Sequence, residues 1–192
     1  MVFSQGERRY SYADYLSSNE KEKIEIINGE IFRMVPPHSR RHQQILRELL
    51  IEFTLYFREN SSEGEAYIAP FDVRLQAENK DDDDVYNFVQ PDITIVYDKN
   101  KLDERGCKGT PDMIIEILSP SSVKLDRREK YYLYEKVGVK EYWIVDALNE
   151  FIEVFLFNEN KFESFGVFTK EDTIQVQTIR GFELDLNHIF KN

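Results

Sequence analysis

The chain has 192 residues, a formal net charge of −11, 41% hydrophobic and 14% aromatic content. That is enough for one domain over residues 1–192 to fill a core without disulfide or metal staples. The acidity excludes a protein that coats nucleic acid non-specifically, since such binding rests on many phosphate contacts.

The single cysteine, Cys107, lies in the polar segment 104–109. It excludes an internal disulfide, fits a reducing cytosol and reads as a surface thiol. Residues 1–10 lack the apolar core of a signal peptide, and no apolar run is long enough to span a bilayer. These features predict a cytoplasmic location and no membrane partner.

In chain order, Tyr10 to Glu22 reads as a short amphipathic helix. The segment 24–34 reads as a β-hairpin, because Asn28-Gly29 between β-formers suits a turn with two positive φ angles. Val35-Pro36-Pro37 ends its second strand. Ser39 caps a long helix reaching about Asn60, with Ile45, Leu46, Leu49, Leu50, Phe53, Tyr56 and Phe57 as its apolar stripe. Tyr67 to Leu75 reads as one strand, and Asp81 to Asp84 as a solvated loop tip.

Two acid-bearing strands follow, at about 90–97 and 113–118. Ser119-Pro120-Ser121-Ser122 stops the second and starts a helix over about 123–137, with Gly138 at its C′ position. Residues 140–146 form another strand. Hairpin-like strands at about 151–157, 161–168 and 173–178 precede a closing segment, 182–190. The fold class is therefore α/β, a mixed sheet flanked by helices. A strand separated from its neighbour by a helix can pair in parallel through a crossover.

The chemistry centres on Asp92 and Glu116. Each sits in a β-branched run, where acids are depleted and costly to bury without a partner. If their strands are antiparallel neighbours, Asp92 at the start of one meets Glu116 near the end of the other. Two oxygen ligands of this kind suit Mg²⁺ or Mn²⁺, with a backbone carbonyl such as that of Ile117 completing the protein's share. The alternative is that the acids lie at solvated strand ends.

Lys130 shares a helical stripe with Asp126, Tyr134 and Val137, and Tyr134 and Val137 should pack on the sheet. That points Lys130 toward the carboxylates, where an ammonium can hold an attacking water and stabilise charge on a phosphoryl oxygen. The alternative is an i,i+4 surface pair with Asp126. His42, in the first turn of the long helix, reaches the sheet edge as a substrate or metal contact, or else is half-exposed beside Arg40 and Arg41. The three histidines show no zinc spacing, and no nucleophile elbow or phosphate-cradling loop is present. Residues 121–140 carry six basic residues against three acidic ones, so a local basic surface survives the overall negative charge.

Pro91-Asp92 followed by Glu116-Ile117-Leu118 resembles a PD-(D/E)xK nuclease core in which the usual lysine has left the strand. A wider pattern runs through Glu25-Ile26-Ile27-Asn28-Gly29-Glu30, His42, Ala69-Pro70-Phe71-Asp72-Val73-Arg74 and Gln90-Pro91-Asp92. It continues through Glu116-Ile117-Leu118-Ser119-Pro120-Ser121, Asp126, Lys130 and Tyr134 to Gly138-Val139-Lys140-Glu141-Tyr142-Trp143-Ile144-Val145-Asp146. Over nearly its whole length the chain is similar to the large bacterial family of putative restriction endonucleases, formerly a domain of unknown function.

The resemblance implies a restriction-endonuclease-like core, αβββαβ, with an extra N-terminal hairpin and C-terminal strands. It implies Mg²⁺-dependent phosphodiester hydrolysis. Asp92 and Glu116 match the metal-binding acids, and Lys130 matches a lysine moved to the following helix. Leu118 departs from the pattern by occupying the usual lysine position. The leading expectation is a metal-dependent DNA endonuclease acting, by analogy, as a homodimer. The alternative is a catalytically silent module of the same fold that binds nucleic acid or protein.

Overall fold

The computed structural model describes residues 8–18, 24–33, 39–76 and 78–191. Helix α1 (Tyr12–Ser17) starts at Ser11, whose side chain and that of Asp14 form a reciprocal capping box. It is shorter than the predicted helix, whose last residues lie outside the described ones. Strands β1 (Ile24–Ile27) and β2 (Glu30–Arg33) form the expected hairpin, with positive φ at both Asn28 and Gly29. The predicted strand end at Val35-Pro36-Pro37 is outside the described residues.

Helix α2 (Arg40–Glu59) begins at Ser39, whose side chain accepts a hydrogen bond from the His42 N–H. Next come β3 (Glu65–Ile68), β4 (Asp72–Arg74), β5 (Phe88–Val89), β6 (Ile93–Val96), β7 (Leu102–Asp103), β8 (Gly106–Lys108) and β9 (Met113–Ile117). A π-helical turn at Leu125–Lys130 runs into α3 (Tyr131–Val137), closed by Gly138 at φ 76°. The remainder is β10 (Glu141–Asp146), β11 (Phe151–Asn158), β12 (Lys161–Thr169), β13 (Thr173–Gln175), β14 (Glu183–Asp185) and α4 (Leu186–Ile189).

Among the described residues the strands form two six-stranded mixed sheets, not one. The first has the order β2-β1-β5-β4-β8-β7, the second β12-β11-β10-β9-β6-β3, and β13 with β14 makes a small ribbon. The predicted single strand from Tyr67 to Leu75 is two strands in different sheets, because Pro70 has no N–H to continue a ladder. The predicted strand at 90–97 is β6 alone, and Pro91 separates it from β5, a short unpredicted strand of the other sheet. The two breaks touch, since the Ala69 N–H donates to the Asp92 carbonyl at 3.3 Å. The chain here is a bent hairpin that crosses from one sheet to the other and back.

Strand alternation then decides what faces what. On one face of the second sheet, Met113, Ile115, Ile117, Trp143 and Val145 pack against Ile45, Leu49, Phe53 and Phe57 of α2 and against the C-terminal segment. On the other face, Ile114, Tyr142 and Ile144 meet Leu133 and Tyr134 of α3 and Ile27, Val73 and Val89 of the first sheet. Glu116 has the parity of Ile114, and Glu25 that of Ile27, so both point into this middle layer. β9 and β10 are parallel with the helix between them, and β6 runs antiparallel to β9, as expected. Cys107 is fully buried on β8, contrary to a surface thiol. The strand is covered on its inner face, and burial pushes the thiol up to about 12.

Phe53 is fully buried and sets its ring edge-on to both Trp143 and Phe182. Phe53→Ala should therefore lower stability by ~3–5 kcal/mol. Urea denaturation would measure it, and a change under 1 kcal/mol would mean that α2 is not anchored here.

Candidate active site

Asp92 lies at the crossing between β5 and β6. The β6–β9 register pairs Ile93 with Ile115, which sets Asp92 beside Glu116. The Ile117 N–H donates to Asp92 Oδ2 at 2.7 Å, and His42 Nε2 lies 3.3 Å from the same oxygen. Neither contact uses Oδ1, and the Asp92 side chain keeps 19% exposure. His42 is buried rather than half-exposed, because the first turn of α2 faces the sheet edge.

Glu116 is buried. Its Oε1 accepts from Lys130 Nζ at 2.9 Å and from the Tyr134 hydroxyl at 2.8 Å. Lys130 is wholly enclosed. Its ammonium also lies 2.9 Å from Glu25 Oε1 and 3.6 Å from Asp126 Oδ1. Asp126 is itself buried, so its pairing with Lys130 is an interior contact and not a surface one. One ammonium thus holds carboxylates from β1, β9 and the π-helical turn.

Glu25 was not singled out as a site residue from the sequence. Yet Ile24-Glu25-Ile26-Ile27 carries the same signal as the strand around Glu116, an acid inside a β-branched run. Its Oε1 also accepts the Gln90 N–H at 2.8 Å, while Gln90 Nε2 donates to Asp72 Oδ1 at 2.7 Å. The Gln-Pro-Asp segment therefore ties Glu25 and Asp72 of the first sheet to Asp92 of the second. The Tyr12 hydroxyl closes this chain of contacts on Asp72 Oδ2 at 2.6 Å.

The charge balance inside is uneven. Burial raises Glu116 well above the usual carboxylate range, Lys130 offsets part of this, and Asp126, Asp92 and Glu25 add to it. Burial also raises Asp126, to about 6, against the pull of Lys130. For Lys130 burial acts downward, but Glu116, Glu25 and Asp126 outweigh it and keep the ammonium well above its ordinary value. Glu25 Oε2, Asp126 Oδ1 and His42 Nδ1 are buried without a hydrogen-bond partner among the described residues. Among the described residues, no three His, Cys, Asp or Glu side chains stand together so as to hold a metal ion by themselves.

Of the basic residues beside His42 and in the segment 121–140, Arg41 is held by Glu150 and by the Phe190 and Lys191 carbonyls, and Arg127 by Glu153. Arg40, Lys124 and Arg128 are exposed.

Residues 10–187 match the model of the Uma2 family, described as putative restriction endonuclease. The chain belongs to this family. It is 25% identical over 155 residues to an uncharacterized protein of Synechocystis sp., covering 79% of this chain and 75% of that protein. Its fold matches the crystal structure of a putative nuclease belonging to DUF820 from Anabaena variabilis, with a TM-score of 0.72 at 18% identity, over 94% of this chain and 97% of the other. The mixed α/β architecture of this Uma2 chain is therefore that of a nuclease-like fold. No helix among the described residues is long and apolar enough to cross a membrane.

The raised Asp126 gives a signed pH effect. Its folded value near 6 exceeds the ordinary 3.8, so the folded state binds more protons between these values. The stability it contributes is present below pH 3.8 and is lost as pH rises through 6. Asp126→Asn should therefore gain on the wild type between pH 4 and pH 7, by up to ~3 kcal/mol. Urea midpoints across that range test this, and a difference independent of pH would show that Asp126 is ionised throughout.

Proposed function

We propose that this Uma2 chain is a hydrolase, a metal-dependent endonuclease that cleaves phosphodiester bonds in DNA from one PD-(D/E)xK-like domain. The observation that carries the reading is the meeting of Asp92 and Glu116 at one sheet edge, with Glu116 gripped by Lys130 from the following helix. The family's description, and that of the Anabaena neighbour as a nuclease, favour the same reading.

The donors suit Mg²⁺ or Mn²⁺. They are hard oxygens in a region where negative groups outnumber positive ones, and two buried carboxylate oxygens lack hydrogen-bond donors. Asp92, Glu116 and the Ile117 carbonyl would hold the ion. Two side chains fall short of an all-protein cage, and Mg²⁺ usually keeps waters and takes substrate phosphate oxygens besides one or two carboxylates. When bound, the ion supplies Lewis acidity and positive charge beside the phosphoryl group.

The chain's own residues supply position and charge. His42 and the Ile117 N–H fix Asp92, while Tyr134 and Lys130 fix Glu116. With Lys130 enclosed by carboxylates, its assistance to the attacking water passes through Glu116 and through its positive charge, not through direct contact. Water adds to phosphorus and the bond to the leaving oxygen breaks, leaving a phosphomonoester and a hydroxyl.

DNA would approach over the exposed Lys124 and Arg128 on the helix after β9 and over Arg40 at the start of α2. A homodimer acting on two strands and a cytoplasmic location belong to this reading by analogy. The enclosure of Lys130, with Leu118 in the strand position, favours a second reading, a silent module that keeps the fold.

Cleavage of supercoiled plasmid with Mg²⁺ or Mn²⁺ separates the two readings. Asp92→Ala and Glu116→Ala should each reduce cleavage by at least roughly 10²-fold and abolish ion binding by calorimetry. Ion binding without cleavage would leave the silent module. For the DNA surface, Lys124→Ala and Arg128→Ala should each lower the slope of log affinity against log salt by about 1. An unchanged slope would move the DNA path elsewhere.

A further inference from the structure

Building on the metal-dependent reading above, we infer that the carboxylates of Glu25, Glu116 and Asp126 form a second cation site that the chain fills with its own Lys130 ammonium, so that the centre takes one divalent ion and not two.

The geometry is that of an occupied site. Lys130 Nζ sits 2.9 Å from Glu25 Oε1 and 2.9 Å from Glu116 Oε1, with Asp126 Oδ1 at 3.6 Å. All four side chains are buried, and Glu25 and Lys130 have no exposed side-chain surface at all. Three carboxylates gathered in a layer otherwise lined by Ile27, Val73, Ile114 and Tyr142 need a cation, because isolated buried charges are too costly. Two buried oxygens, Glu25 Oε2 and Asp126 Oδ1, lack a hydrogen-bond donor among the described residues, so the acids exceed what one ammonium satisfies.

Two-metal phosphodiesterases set their ions about 3.5–4 Å apart, bridged by shared oxygen ligands. Here Glu116, which contacts the ammonium and lies beside Asp92, would be the shared group. Its neighbour on the open side is Asp92, and its neighbour on the closed side is the ammonium. Lysine supplies one positive charge and directional N–H donors, but it offers no site for water or phosphate. The closed position therefore orients Glu116 and neutralises Glu25 without touching substrate, and Glu25 serves as a positioning residue for Lys130.

Removing the ammonium should open the position to a metal. The carboxylates do not hold a metal as they stand around the ammonium; an ion bonding at about 2.1 Å needs Glu25 and Glu116 to close in by about 0.8 Å and Asp126 by about 1.5 Å. The test is to count bound Mn²⁺ on the full chain from the electron paramagnetic resonance of the free ion, with and without a DNA oligonucleotide. The wild type should bind one ion per chain, Lys130→Ala two, and Lys130→Ala with Glu25→Gln one again. Mn²⁺ should also raise the thermal midpoint of Lys130→Ala by more than that of the wild type.

Where Lys130→Ala does not fold, Glu25→Gln alone decides the matter. Retention of one ion supports the inference, and loss of the ion makes Glu25 a ligand and overturns it. Two ions in the wild type overturn the inference while leaving the metal-dependent reading intact. No ion in the wild type, even with DNA, overturns both.

Discussion

One ammonium holds the two sheets in register at the place where chemistry is expected. Lys130 contacts Glu25 of the first sheet, Glu116 of the second and Asp126 of its own helix. Removing one partner of such a buried group leaves uncompensated charge, a loss of about 3–5 kcal/mol in comparable cases. The sheets meet here through apolar side chains that tolerate sliding and through a charge network that does not. Position along the strands is set by the second kind of contact. Tyr134 reinforces it one helical turn further on, by donating to the same Glu116 oxygen as Lys130.

The crossing hairpin supplies the rest of the constraint. Pro70 and Pro91 each interrupt a ladder, so two strands that would run straight are redirected into a second sheet at adjacent points. Asp92 follows Pro91 directly and is therefore held where the two sheets part, not in the middle of either. Gln90, one residue earlier, uses its backbone N–H for Glu25 and its side-chain amide for Asp72. A three-residue segment thus faces both sheets, with a different polar group turned toward each.

How much of this was legible depends on what each residue's neighbours are. Asp92 and Glu116 stood out because an acid in a β-branched run has to be explained by a partner. Glu25 carried the same mark but sat beside Asn28-Gly29, whose hairpin signal accounts for the local backbone and says nothing about the facing layer. Glu141 carries it too, and its two oxygens accept from Trp143 Nε1 and the Thr178 N–H, within a layer lined by Trp143 and Val145. The pattern therefore identifies buried acids, and only the identity of the partner separates a structural one from a candidate catalytic one. Partners lie far apart in sequence: Glu25 and Lys130 are joined by the arrangement of two sheets that local periodicity does not encode. The bent hairpin was hidden for a related reason. Proline signals that a ladder stops, but not that the chain resumes in a different sheet. Cys107 misled in the opposite direction, since its polar neighbours describe a turn while its own side chain lies beside Val73 of β4 in a buried apolar cluster.

The site divides into a closed side and an open one. Lys130 and Glu25 have no contact with solvent, whereas Asp92 keeps 19% of its side chain exposed. Charge on the closed side is offset in part, by Lys130, and lies out of reach of whatever approaches. Among the described residues, charge on the open side is met by His42 and a backbone N–H, both at Oδ2, on a side chain that keeps part of its surface exposed. A strongly acidic chain repels a polyanion over most of its surface, so an approach by nucleic acid has to be local. The helix that delivers Lys130 to the interior also carries Lys124 and Arg128 on its exposed side. Burying Lys130 removes one cation from that outer surface. Lys130 also pairs inside with Asp126 of the same helix, so that one negative charge leaves that surface with it. The same residue that fixes the interior therefore also shapes the field outside it.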